Sequence, residues 1–77
     1  MNQQPKKIIV AITGASGAIL GIRTLELLRE AGVETHLVIS RAARRTITSE
    51  TDWRITDVEA LAFASYDPGD IGARIAS

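Results

Sequence analysis

Cysteine is absent from the 77 residues, and histidine, methionine, tryptophan, tyrosine and phenylalanine occur once each. Without cysteine there is no disulfide framework, no thiolate nucleophile and no cysteine zinc site, and one histidine cannot hold zinc by itself. That lack fits a reducing compartment. Charge of one sign is missing as well: nine basic residues balance nine acidic ones, so the attraction that nucleic acid or an anionic membrane exerts on a basic protein is not available. Neither is expected as a partner. The aspartates Asp52, Asp57, Asp67 and Asp70 are scattered, which leaves no acidic cluster to hold magnesium, and no metal is expected. Long apolar runs are also lacking. The stretch "IIVAI" falls far short of the ~20 residues of a membrane-spanning helix, and "MNQQPKK" ahead of it carries no signal-peptide cleavage pattern. These absences lead to the expectation of a cytoplasmic chain of one small domain at most, the size that buries only about 60% of its unfolded surface.

What is present is regular. Ile8 to Ile12 form a continuous, largely β-branched run, the pattern of a strand covered on both faces in a parallel sheet. From about Ala18 to Ala31, Ile22, Leu25 and Leu28 recur at helical spacing against Arg23, Glu26, Arg29 and Glu30, and Gly32 supplies the stop. "VETHLVIS" predicts the next strand, which makes a right-handed βαβ unit, the first half of a doubly wound fold. "RAARRTITSE" predicts a second helix starting just after Ser40. "TDVEAL", with Thr56 as N-cap and Glu59 three residues on, predicts a short third helix. "YDPGD" reads as a turn, and Asp70 as the cap of a last helical piece, "IGARIAS". No internal repeat or linker interrupts the chain. Two parallel strands alone are marginal in water, so further chain is expected to complete the sheet.

The informative stretch is "TGASGAILG", Thr13 to Gly21, at the corner between the first strand and the first helix. In open parallel sheets ligands sit beyond the carboxyl ends of the strands, where this loop lies. Gly14 and Gly17 permit close approach to a backbone whose amides can receive phosphate, and Ser16 adds a hydroxyl. The dinucleotide fingerprint requires G-x-G-x-x-G, whereas Gly14, Gly17 and Gly21 stand three and then four apart. The acidic residue that would bind the ribose of NAD after the second strand is replaced by Ser40 and Arg41. NAD is therefore disfavoured, although Arg41 suits the extra phosphate of NADP.

Taken together, "TGASGAILG", "ETHLVISRAAR", "ETD" and "DIGARIAS" resemble, in this order and over almost the whole chain, the N-terminal segment of the UbiX-type flavin prenyltransferases. The resemblance implies a Rossmann-like (flavodoxin-like) three-layer α/β/α fold with a parallel sheet, of which only the N-terminal half is present. Residues 1–77 would then be the N-terminal part of a single flavoprotein domain. It implies transfer of a dimethylallyl group from dimethylallyl monophosphate to reduced FMN without a metal. The product, prenylated FMN, serves UbiD-type decarboxylases. It further implies a homo-oligomer, often a dodecamer, with flavin at subunit interfaces. Carried over by position, Gly14, Ala15 and Ser16 match the first flavin-binding loop and Ser40 the flavin-contacting serine after the second strand. Glu50 matches a carboxylate facing the active site, and with Ser16 it forms the implied catalytic set. Leu20 stands where the family usually has tyrosine, and Arg41 where it has lysine. The family's later proline-cysteine-serine loop, basic phosphate-binding residues and tyrosine lie outside this sequence, so the chain as given is expected to be inactive.

The remaining residues read as structural. His36 sits inside the second strand, Trp53 reads as packing, Asp52 as a cap on its local turn, and Arg41, Arg44 and Arg45 as a solvated helix face. Rival functions are an NADP-dependent short-chain oxidoreductase, a related flavin-dependent cysteine decarboxylase, and a non-catalytic nucleotide-binding module.

Overall fold

A computed structural model describes residues 6–14 and 17–69. Six elements follow one another: β1 (Lys7–Ile12), α1 (Ala18–Glu30), β2 (Glu34–Ile39), α2 (Arg41–Glu50), α3 (Ile55–Ala60) and β3 (Ala64–Tyr66). The strands form one parallel sheet in the order β1-β2-β3. Read from β3, that is the first half of the 3-2-1-4-5-6 order of doubly wound sheets. The chain thus has an α/β fold of the Rossmann-like, flavodoxin-like kind, present in part.

Register decides which side of the sheet is buried. Ile8, Val10 and Ile12 pair with Thr35, Leu37 and Ile39, and these alternate residues share one face. On that face Ile12, Leu37 and Ile39 join Ala18, Ile22 and Leu25 of α1, Ala43 and Ile47 of α2, and Val58 of α3 in one buried cluster. The opposite face, with Ile9, His36 and Tyr66, carries no helix among the described residues. Among the described residues β1 is thus covered on one face only, and Ile9 on the other is 54% exposed. Two consecutive right-handed crossovers, β1-α1-β2 and β2-α2-α3-β3, put their helices on the same side, and among the described residues β1 has a strand on one side only.

The helices begin and end as their sequences dictate. Gly32 terminates α1 with φ +75°, a conformation costly for a side chain. Ser40 caps α2, its Oγ accepting from the Ala43 amide at 3.1 Å. The third helix starts earlier than the capping-box pattern predicts, because Arg54 is its N-cap and Thr56 lies within it. An earlier start lets Ile55 pack against the core. Glu59, assigned to that box by spacing, instead accepts from Arg44 at 3.2 Å and from Ser65 at 3.0 Å, tying α3 to α2 and β3.

A third strand, not expected from the sequence, leads into the segment read as a turn, in which Pro68 and Gly69 do turn. Ala64, Ser65 and Tyr66 pair with His36, Leu37 and Val38, and the Phe63 amide donates to the Thr35 carbonyl at 3.0 Å. Asp52 does not cap its turn; the Thr51 hydroxyl does, accepting from the Trp53 amide at 3.0 Å. Trp53 packs against the core as expected. The proposed final helix after Asp70 lies outside the described residues.

One glycine of the corner motif is a packing device. A Cβ on Gly21 would lie 2.8 Å from Cγ1 and 3.0 Å from Cδ1 of Ile12, too close for an inner side-chain atom to yield cheaply. Gly21→Ala in the whole protein should lower stability by about 1–2 kcal/mol, the overpacking cost exceeding the roughly 1 kcal/mol gained in helix propensity. Chemical denaturation measures it, and a Gly21→Ala protein more stable than the parent would contradict this packing account.

Candidate functional site

The corner after β1 is built by backbone. Gly14 has φ +73°, a left-handed conformation that turns the chain sharply after the strand. Gly17 is the N-cap of α1, where no side-chain cap bond is made and the first turn holds no acidic residue. The first-turn amides of a helix lack intrahelical partners, and the helix dipole gives that end partial positive charge. A Cβ placed on Gly14 or Gly17 would meet nothing within 4 Å. The three glycines thus divide their roles: Gly14 and Gly17 face open space, and Gly21 faces the strand. Ala15 and Ser16, assigned to flavin binding by resemblance, lie outside the described residues.

Ser40 joins this corner. Its amide donates to the carbonyl of Ile12 at 3.0 Å, which sets it at the carboxyl ends of β1 and β2 together. Its oxygen accepts from Ala43, leaving the hydroxyl proton to donate to a ligand. It opens on a cavity of about 600 Å³ also lined by Arg41, Arg44 and Asp67. Arg44 is engaged with Glu59. Arg41 is exposed and makes no ion pair among the described residues. The other departure from the family pattern, Leu20, is 73% exposed on the outer side of α1.

Glu50 is not part of this grouping. It is the last residue of α2 and exposed, while Ser40 stands before the first, so about 15 Å of helix separates them at 1.5 Å per residue. The structure ties Ser40 to the end of β1, from which the Gly14 and Gly17 loop departs, and leaves Glu50 at the far end of its helix.

His36 has a structural environment. One ring nitrogen meets Glu34 Oε2 at 2.8 Å and the other the Tyr66 hydroxyl at 2.8 Å, and the rings of His36 and Tyr66 stack at 5.7 Å. This chain of partners fastens β2 to β3 on the bare sheet face, away from the corner. Sequence reading singled out neither Glu34 nor Tyr66. The only available signal was the i, i+2 spacing of Glu34 and His36, which puts both on one face of a strand. Among the described residues no group of histidines and carboxylates is disposed to hold a metal, and no helix is long and apolar enough to cross a membrane.

Comparison with known proteins fits this geometry. The model of the family described as Flavoprotein matches residues 1–75. The chain is 54% identical over 74 residues to the mitochondrial flavin prenyltransferase PAD1 of Saccharomyces cerevisiae, covering 96% of this chain and 31% of the yeast protein. It is 55% identical to flavin prenyltransferase UbiX of Thauera aromatica, covering 92% of this chain and 37% of that one. Among solved structures, AnUbiX (PadA1) in complex with FMN and dimethylallyl pyrophosphate superposes with a TM-score of 0.88 at 46% identity, over 96% of this chain and 39% of that one. A dodecameric FMN-dependent UbiX-like decarboxylase from Escherichia coli O157:H7 gives a TM-score of 0.83 at 51% identity, over 92% and 39%. The chain therefore spans between 31% and 39% of the length of these proteins. With the family model matched over residues 1–75 and these relatives about half identical to it, the chain belongs to the Flavoprotein family.

Proposed function

We propose that residues 1–77 are the N-terminal part of a single flavoprotein domain. The whole protein is a flavin prenyltransferase that moves a dimethylallyl group from dimethylallyl monophosphate to reduced FMN. The observation that carries this reading is the open corner of Gly14 and Gly17 joined to Ser40, in a chain about half identical to flavin prenyltransferases. The donor chemistry suits FMN: backbone amides at a helix start without a carboxylate, plus a hydroxyl with a free proton, are what a phosphate and a polyol chain need. Gly14, Ala15, Ser16 and Ser40 would hold the flavin. Reduced FMN supplies the electron-rich ring that accepts the allylic group. Ser16 lends its hydroxyl at the loop, and the Glu50 carboxylate takes the proton that the ring gives up. No metal is assigned a role.

The dehydrogenase rival has less support. Ser40 and Arg41 follow β2 directly, where the ribose-binding carboxylate of an NAD enzyme belongs, and the named relatives are prenyltransferases. The same relatives give no support to a cysteine decarboxylase or a non-catalytic nucleotide-binding module. Prenylated FMN would pass to a UbiD-type decarboxylase. A homo-oligomer, a dodecamer in the family pattern, accords with the dodecameric structural relative. A cytoplasmic location goes with substrates that are charged, water-soluble phosphomonoesters.

Titration of the whole protein with FMN, followed by flavin fluorescence, and with NADP, followed by calorimetry, tests the ligand choice. FMN should bind at least about 100-fold more tightly, a difference of about 2.7 kcal/mol. Tight NADP binding without FMN binding would overturn the reading.

A further inference from the structure

We propose that His36, through its bond to Tyr66, positions the segment Asp67–Gly69 as a wall of the flavin cavity. The inference rests on the flavin reading of that cavity, and it starts from how little else holds β3. The strand is three residues long and, among the described residues, pairs with β2 alone. None of its side chains is buried, so the core does not fix where it lies. Besides the ladder, one side-chain bond holds it on each face. On the helix side Ser65 donates to Glu59 Oε2 at 3.0 Å. On the opposite face the Tyr66 hydroxyl meets His36 Nδ1 at 2.8 Å, with the two rings stacked 5.7 Å apart.

The His36 ring is itself held. Glu34 Oε2 lies 2.8 Å from Nε2, and Lys7 of β1 stands 4.0 Å from the same oxygen. An ionised carboxylate only accepts, so Nε2 carries a proton and donates to it. In the neutral ring Nδ1 then accepts from the Tyr66 hydroxyl, and in the protonated ring Nδ1 donates to the same oxygen. A phenol does both, so the bond closes in either state. Its effect falls on the next residues. Register sets Tyr66 beside Val38, and two residues further along the parallel strands stand Pro68 and Ser40. Asp67, Pro68 and Gly69 line the cavity of about 600 Å³ together with Ser40 and Arg41. Tyr66 is the last residue of β3, so its hydroxyl bond is the last side-chain tie before the chain enters that wall. Asp67 makes no side-chain hydrogen bond or ion pair among the described residues, and the wall takes its place from β3.

Substitutions in the whole protein test this. Tyr66→Phe removes one oxygen and keeps the ring stack. His36→Gln places an amide where Nε2 stood, so it keeps the Glu34 partner and loses Tyr66; His36→Asn places one where Nδ1 stood and keeps Tyr66. FMN affinity is measured by flavin fluorescence titration and stability by chemical denaturation. Tyr66→Phe and His36→Gln should each weaken FMN binding about three- to tenfold, the size of one hydrogen bond. The double variant should be no weaker than either, because both changes break the same bond. His36→Asn should bind FMN within about twofold of the parent even where it costs stability, a rescue that a purely structural histidine would not show. Gly21→Ala is the matching control, losing stability through its contact with Ile12 while affinity is kept. Should a His36 variant fail to assemble, Tyr66→Phe alone decides. Parent-like FMN affinity in Tyr66→Phe and His36→Gln would overturn the inference, as would a His36→Asn protein that falls as far as His36→Gln or a double variant whose losses add. A parent protein that binds no FMN would instead be a failure of the flavin reading itself.

Discussion

Gly17→Phe should abolish FMN binding by the whole protein while leaving its fold intact. The position allows the substitution on backbone grounds: φ is −107°, within the range open to any residue, and a Cβ there touches nothing within 4 Å. The new ring would occupy the space in front of the α1 amides, so its cost falls on the ligand. A loss of affinity on the order of 100-fold or more, about 2.7 kcal/mol or above, is expected from flavin fluorescence titration. Circular dichroism and oligomer size should match the parent. Gly21→Ala provides the contrast, since its Cβ meets Ile12 and not the ligand space. That variant should lose stability and keep FMN affinity. If Gly17→Phe bound FMN as the parent does, the corner would not be the flavin site.

Glu50→Gln should divide binding from chemistry. Glutamine keeps the size and hydrogen-bonding reach of glutamate and removes its basicity. FMN affinity should stay near the parent level, because the side chain keeps its size and its hydrogen-bonding reach. Prenylation of reduced FMN should slow by roughly ten- to a thousandfold, within or just below the usual range for loss of a general acid or base. Ser16→Ala should behave differently, weakening FMN binding as well as turnover, since it removes a hydroxyl from the loop that holds the flavin. Single-turnover kinetics with FMN affinity determined for each variant separate the two patterns. A Glu50→Gln protein that turns over like the parent would return Glu50 to the role of a solvated helix end.

The parts of this fold that were legible in the sequence are those fixed by local pattern. The apolar runs of β1 and β2, the helical spacing of Ile22 and Leu25, and the stop at Gly32 each state their structure within a few residues. β3 was not legible, since three residues are too few to show alternation. What specifies Ala64–Tyr66 is the pairing with His36, Leu37 and Val38, almost thirty residues earlier in the chain. The start of α3 was misread for a related reason. The capping-box spacing of Thr56 and Glu59 was a sound local signal, but burial of Ile55 and the partners of Glu59 on α2 and β3 overrode it.

The site divides along the same line. Gly14 and Gly17 announced a corner, because few other residues would put two glycines there. The separate task of Gly21 depends on how α1 approaches Ile12 and cannot be counted off as a spacing. Ser40 could be placed beside the corner from the βαβ pattern alone. The distance of Glu50 from that corner followed only once α2 was seen to run unbroken to its tenth residue through Thr46, Ile47 and Thr48. Those residues weaken a helix in isolation, and the burial of Ile47 in the core holds it.

The central claim is that this chain opens a flavin prenyltransferase, and one measurement bears on it most directly. The whole protein is incubated anaerobically with reduced FMN and dimethylallyl monophosphate, without added metal, and the flavin is recovered for mass analysis. The account predicts a flavin heavier than FMN by one dimethylallyl group in place of a hydrogen, formed together with one equivalent of phosphate and undiminished by a chelator. Recovery of unmodified FMN from a properly assembled, flavin-binding protein would contradict it.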